Sequence, residues 1–340
     1  MHYLITGHTG FKGSWLTLML KELGHTVSGI SLEPDTKSLF NQANITDLLE
    51  NDFRIDILDK VIIKEKIEKT NPDVLIHLAA QSLVGESYLD PIKTFNTNIF
   101  GTINILDICS NLENIKAILI ITSDKVYETN HSNIFLNENY PLGANDPYSS
   151  SKAAADIVTQ SWIKSFGKTK IAIARAGNVI GGGDWSVGRL VPDIVDSIEN
   201  QGFIKLRYPH AIRPWQHVLD CLNGYLQLVE KQIYNGISGE WNFGPDEKFV
   251  YSVEQFVAKF STRWGISNKI WELDNSKINY ENPTLLLDSR KAREHLKWKE
   301  FLSFENSIDL CIEWYKNYKL EDPRDLTIKQ INAFFKHTGL

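Results

Sequence analysis

The sequence predicts an α/β protein: a doubly wound parallel sheet, then a smaller mixed α/β unit. Three observations carry this. Strand-like runs alternate with helix-like runs through the first half of the 340 residues, as βαβ units and a parallel sheet require. One run, Ala117-Ile118-Leu119-Ile120-Ile121, is apolar without alternation, as in a strand buried on both faces. A glycine-rich turn, Gly7-His8-Thr9-Gly10-Phe11-Lys12-Gly13, joins the first strand-like run to the first helix-like run.

In chain order, strands are expected at Tyr3–Thr6, Thr26–Leu32, a short third strand ending near Asp56, then Asp73–Leu78, Ala117–Thr122 and Lys170–Arg175. Helices of ten or more residues are expected between them, at Gly13–Leu23, Lys60–Lys69, Pro91–Asn111 and Ser149–Ser165. Pro147 and the serines after it mark the start of the last. Asn130–Pro147, rich in Asn and Pro, reads as a long loop, and loops of that length are often functional. Val253–Trp264 and Phe304–Tyr318 read as amphipathic helices that support the fold. Residues 1–180 are expected to form the Rossmann-type unit, with a return near 214–245. Residues 181–340 are expected mainly to bind substrate.

Composition narrows the function classes. A net charge of −6 argues against a nucleic-acid or anionic-membrane binder. Cys109, Cys221 and Cys311 are far apart and odd in number. They suggest neither a disulfide framework nor a metal site, and fit a reducing compartment. No metal is expected. Met1 runs straight into Tyr3-Leu4-Ile5 without a signal peptide, and no apolar run reaches the roughly 20 residues of a membrane helix. A soluble cytoplasmic protein is expected.

Glycines in the first strand-to-helix turn let backbone approach a diphosphate, which meets the positive end of the helix dipole. Glu33 closes the second strand, where a carboxylate bonds adenosine ribose hydroxyls and repels a ribose phosphate. NAD is therefore the expected cofactor. The spacing, Gly-x-x-Gly-x-x-Gly, is one residue wider than the usual dinucleotide fingerprint. Asp56 and Ile57 either contact adenine or form an ordinary strand end. Leu78, Ala79, Ala80 and Gln81 either let the cofactor lie over the sheet edge or simply pack closely.

Thr122, Ser123, Asp124 and Lys125 follow the apolar strand, where open α/β sheets bind ligands. Alone they read as a polar loop exit. Tyr148 and Lys152 are four apart and share a helix face. An ammonium there favours phenolate, lowering the phenol pKa and making Tyr148 a usable base. Arg189, Arg207 and Arg213, with Lys205, fall in a short span of an acidic chain, and guanidinium forks match phosphate oxygens. Tyr208 either stacks on a base or packs.

The glycine turn, the strand-end Ser123 and Tyr148-x-x-x-Lys152 together resemble the extended short-chain dehydrogenase/reductases. Within them, five blocks are similar to CDP-glucose 4,6-dehydratases. They are Gly7 to Leu16, Thr122 to Lys125, Arg175 to Trp185, Arg213 to Val218 and Trp241 to Pro245. The likeness is looser after Pro245. At Ser82-Leu83-Val84-Gly85-Glu86 it departs, since the family usually carries Pro-Leu-Val-Arg.

The resemblance implies a nucleotide-sugar substrate, NAD, a place in deoxysugar and polysaccharide biosynthesis, and a homodimer packed through Pro91–Asn111 and Ser149–Ser165. It adds Phe11, Lys12 and Asn98 to the cofactor set. Asn178, Arg189, Arg207 and Arg213 are implied to hold the diphosphate, beside Ser82, Leu190 and Tyr208. The implied reaction oxidises carbon 4 of the sugar, with Tyr148 as base, Lys152 holding phenolate and ribose, and Ser123 bonding the same hydroxyl. Water is then lost across carbons 5 and 6 with Asp124 as general acid, and hydride returns to carbon 6. Lys125 is either the carbon-5 base, when neutral, or a cation polarising the ketone or the leaving hydroxyl. A 4-epimerase or 4-reductase would share Ser123, Tyr148 and Lys152. A cofactor-sensing regulator would not need turnover.

Overall fold

The computed structural model describes residues 1–128, 134–167, 170–200, 202–246, 250–266, 270–274 and 282–339. Its strands are β1 His2–Thr6, β2 Thr26–Ser31, β3 Asn51–Arg54, β4 Val74–His77, β5 Ala117–Ile121, β6 Ile171–Ala176, β7 Val179–Ile180, β8 Ile204–Leu206, β9 Ile212–Arg213, β10 Gln216–His217, β11 Gly239–Phe243, β12 Tyr251–Ser252 and β13 Trp271–Leu273. Seven of them form one sheet in the order β11-β6-β5-β4-β1-β2-β3, every pair parallel. The chain winds outward from β1 first through β2 and β3, then through β4, β5, β6 and β11. This is a doubly wound Rossmann-like sheet, as the alternation of runs predicts.

Period-two alternation divides the core between the two faces of this sheet. Tyr3 and Ile5 of β1, Val74 and Ile76 of β4, and Leu119 and Ile121 of β5 face one apolar cluster. Leu4, Leu75, Ile118 and Ile120 face the other. All five residues of β5 are buried, which is why that strand shows no polar alternation in sequence.

The first cluster also takes Trp298, Trp314 and Phe256 from the last third of the chain. Helices Val253–Trp264 and Phe304–Asn317 therefore pack into one core with the first helix, Phe11–Glu22. Trp15 of that helix donates its indole N–H to Gly182 O at 2.9 Å. Helix Val218–Asn235 lies against β5 and β6 and leads into β11, which pairs with β6. Three two-stranded sheets, β7 with β10, β9 with β12 and β8 with β13, complete the second half.

One expectation changes and one gains detail. The long helix expected over 91–111 is Pro91–Phe95, a π turn at Asn96–Phe100, then Gly101–Cys109. The π turn carries Asn98, which donates to Gln81 O and to the Ser151 hydroxyl. The long loop expected at 130–147 is, over its described part, irregular chain strapped onto the fold. Leu136 bridges to Leu287, and Glu138 accepts the Asn242 N–H. Residues 130–133 of that expectation lie outside the described residues.

Candidate functional site

The glycine turn is shaped by three glycines with different reasons. Gly7 has φ 78°, and a Cβ there would lie 2.6 Å from Ala79 N. This favours the close-packing account of Leu78 and Ala79. At Gly13 a Cβ would lie 2.3 Å from Gly7 O. Gly10 is different: it is exposed, has an ordinary φ of −77°, and a Cβ would meet only Gly7 O, at 3.4 Å. Packing within the chain does not demand glycine there, whereas close approach by a ligand does. Gly10 caps the first helix without a side-chain bond, and the first turn holds no acid. The positive helix end is thus bare, as a diphosphate requires.

Glu33 is exposed beyond β2, with Oε2 3.7 Å from Arg54 Nε. Asp56 is exposed, and its Oδ1 accepts the Leu58 N–H at 2.9 Å. The Ile57 side chain is buried in the core against Gly101, so any contact it makes with adenine is by its backbone. Gln81 spends its amide on Leu83 and Thr94, with Ala80 beside it, half-buried.

Beyond the carboxyl ends of β4, β5 and β6 opens a cleft of about 880 Å³. Ser123, Asp124, Lys125 and Tyr148 line one wall, with Phe11 and Lys12 from the glycine turn. Ser82, Asn178, Arg189, Leu190, Arg207, Tyr208 and Arg213 line the rest. Residues more than a hundred positions apart are thereby brought to one cavity. Lys152, Asn98 and the three glycines are not on its wall.

Burial dominates the electrostatics of the site. Asp124 is buried, its Oδ1 accepts from the Ser123 hydroxyl at 3.0 Å, and its Oδ2 has no partner among the described residues. Burial raises its pKa, against Lys125, Ser123 and Arg213. A carboxyl raised by burial holds its proton more tightly than a free one, which suits a proton donor. Burial also pushes Tyr148 up to about 12, opposed by the Ser123 hydroxyl. This corrects the expected effect of Lys152, whose Nζ donates to Ile121 O at 2.9 Å. Lys152 itself is lowered to about 7, by burial first and by Lys12 next. Lys12 donates to the Tyr225 hydroxyl at 3.3 Å.

Arg189 spans the cleft, donating to Asp184 at 3.0 Å and to the Ser82 hydroxyl at 2.9 Å. Glu86 lines the same mouth, so the departure from the family pattern falls on the cleft wall. Sequence reasoning missed Asp184, Trp215 and Asp274 on the cleft wall. It also missed Arg54, since nothing local ties that residue to Glu33.

Comparisons with known proteins place the chain among sugar-nucleotide dehydratases in sequence and among dehydratases and epimerases in fold. CDP-glucose 4,6-dehydratase of Salmonella typhimurium strain LT2 is 40% identical over 346 residues, covering 98% of this chain and 96% of that protein. The dTDP-D-glucose 4,6-dehydratase of Dictyostelium discoideum is 27% identical over 92% of this chain and 81% of its own length. A crystal structure of dTDP-glucose 4,6-dehydratase from Bacillus anthracis in complex with NAD superposes with a TM-score of 0.81 at 22% identity. It covers 96% of this chain and 99% of that one. The UDP-glucose 4-epimerase of Thermotoga maritima, solved with UDP-glucose, gives 0.82 at 20% identity, covering 94% and 100%. These two share the fold. The family model for GDP-mannose 4,6 dehydratase matches residues 4–310, and the chain belongs to that family.

Proposed function

We propose that the chain is an NAD-dependent sugar-nucleotide 4,6-dehydratase acting on CDP-glucose, and that it yields the 4-keto-6-deoxy sugar nucleotide and water. The observation that carries this is the buried Asp124 carboxyl, raised in pKa, beside Ser123 and Lys125 in a cleft also lined by Tyr148. An epimerase or reductase needs the oxidation set alone. The 40% identity to a CDP-glucose 4,6-dehydratase along nearly the whole chain supports the nucleotide and the sugar.

NAD, when bound, supplies a hydride acceptor and donor together with a positive ring. The open Gly10, the bare helix end and Glu33 fit its diphosphate and adenosine ribose. In the cleft, Tyr148 acts as a phenolate and takes the proton of the carbon-4 hydroxyl, while Ser123 bonds the same hydroxyl. A cation brought close to the phenolate lowers the cost that burial imposes. Asp124 holds the proton that the carbon-6 hydroxyl needs to leave as water. Lys125 faces the same space and acts in the elimination, as the carbon-5 base or as the cation that polarises the carbon-4 ketone or the leaving hydroxyl. Arg189, Arg207 and Arg213 pair with the diphosphate. We further propose a cytoplasmic homodimer with a small-molecule substrate, no nucleic acid and no membrane. Among the described residues no helix is long and apolar enough to cross a membrane.

The test is incubation with CDP-glucose, dTDP-glucose, GDP-mannose and UDP-N-acetylglucosamine, read by mass spectrometry. Loss of one water from CDP-glucose alone is expected. Lys125→Met should still oxidise carbon 4 once but release no water. Full dehydration by that variant removes Lys125 from the elimination, and a 4-epimer without deoxy product overturns the reading.

A further inference from the structure

We propose that Asp274 and Arg207 form the nucleobase end of the cleft, and that the Asp274 carboxylate takes the exocyclic amine of cytosine. This acid then selects a cytidine diphosphate sugar over its uridine and thymidine counterparts. The inference rests on the sugar-nucleotide reading above and adds to it the residue that chooses the base.

Register places the pair. In β8, Ile204 and Leu206 are buried while Lys205 and Arg207 are exposed, so period two sets the two basic residues on one face. β13 runs parallel, with Lys205 opposite Glu272 and Leu206 opposite Leu273. Asp274 N then donates to Leu206 O at 3.0 Å. The next rung sets Asp274 beside Arg207, on the face that carries Lys205. Lys205, Arg207, Tyr208 and Asp274 all line the cleft, and the half-buried Tyr208 adds a flat ring to that wall. The wall stands apart from the chemistry. Arg213 acts on Asp124 and Arg189 on Tyr148, in both cases after burial. Arg207 acts instead on Asp193, again after burial. A sugar nucleotide is linear. With its sugar at Ser123 and Tyr148 and its diphosphate among the arginines, its base reaches the β8–β13 wall.

Cytosine differs from uracil and thymine at one point of the edge that carries its exocyclic groups. Cytosine has an amine at carbon 4 that donates, where the other two have an oxygen that accepts. An ionised carboxylate only accepts. It therefore bonds the cytosine amine and repels the oxygen that replaces it. All three pyrimidines keep the oxygen at carbon 2, to which a guanidinium donates. Arg207 makes no hydrogen bond or ion pair among the described residues. Its five donors thus remain for that oxygen and for the diphosphate. The acid discriminates, and the arginine holds what the bases share.

The experiment is isothermal titration calorimetry of the full chain, with NAD present, against CDP, UDP and dTDP. These lack the sugar, so no turnover intervenes. The native protein is expected to bind CDP about tenfold or more tighter than UDP or dTDP. Asp274→Asn presents an amide that donates as well as accepts, and should narrow the gap to about threefold or less, chiefly by tightening UDP. If that variant does not fold, Asp274→Ala serves, and should close the gap by weakening CDP. Arg207→Gln should weaken CDP and UDP alike and leave the gap in place. A gap that persists without Asp274, a gap that Arg207→Gln closes, or a native protein that binds CDP and UDP alike overturns the inference. Loss of water from CDP-glucose by that same protein keeps the reading of its function. A native protein that binds none of the three and dehydrates no sugar nucleotide overturns both.

Discussion

Lys152 is a buried ammonium under two opposed influences. Burial and the Lys12 cation lower its pKa to about 7, and Asp156 pulls the other way. An unfolded lysine keeps its proton to about 10.4. Between those values the unfolded chain holds more protons than the folded one, so stability rises with pH across that window. The ligand-free protein should therefore gain thermal stability from pH 7 to pH 9.5 relative to Lys152→Met, which has no proton to lose. The full shift corresponds to at most roughly 4–5 kcal/mol. Melting curves of both proteins across that range check it, and a difference that stays flat sinks it. The pairing of Tyr148 with Lys152 is legible because a helix puts positions four apart on one face. What each group feels is not legible. Burial sets the phenol, and Lys12 reaches Lys152 from the other end of the Rossmann unit.

Between elements, one buried polar knot sets the angle of the site. The Thr122 hydroxyl, just past β5, donates to Asp156 at 2.9 Å. Asp156 stands on helix Pro147–Phe166, which also carries Tyr148 and Lys152. Arg175 of β6 closes the knot with bonds of 2.8 and 2.7 Å to the same carboxylate, both side chains wholly buried. Strand end, helix and neighbouring strand are thus pinned at one acid. Thr122→Val removes one bond to a charged group and should cost about 1.5–3 kcal/mol. Arg175→Met strands a buried carboxylate and should cost about 3–5 kcal/mol. Urea midpoints separate the two, and equal losses would show that the ion pair adds nothing beyond packing. The strands and helices themselves are readable from apolar runs and breakers. The knot is not, because Arg175 in sequence is only a polar residue closing an apolar strand. The π turn at Asn96–Phe100 is equally hidden, since its apolar spacing matches an ordinary helix.

At the scale of the molecule, the sheet order follows from the alternation of elements, whereas the surface for the proposed homodimer is sought in what the finished fold leaves uncovered. The segments Pro91–Phe95, Asn96–Phe100 and Gly101–Cys109 pack along helix Pro147–Phe166. Their outer side exposes Ile92, Phe100 and Ile157, with Leu89 just before them, each more than half exposed. The proposed homodimer would cover these large apolar side chains, as an association surface does. A two-fold dimer places the same patch on both subunits, so each substituted residue enters the interface twice. A single new charge is then met by its own copy as well as by apolar surface. Light scattering of the native protein should give twice 38.8 kDa. The double variant Ile92→Lys, Ile157→Lys should give the monomer mass, with its melting temperature no longer rising with protein concentration. Both positions lie off the cleft wall, so the monomer keeps its dinucleotide affinity. A native monomer, or a dimer that survives both lysines, places the association surface elsewhere.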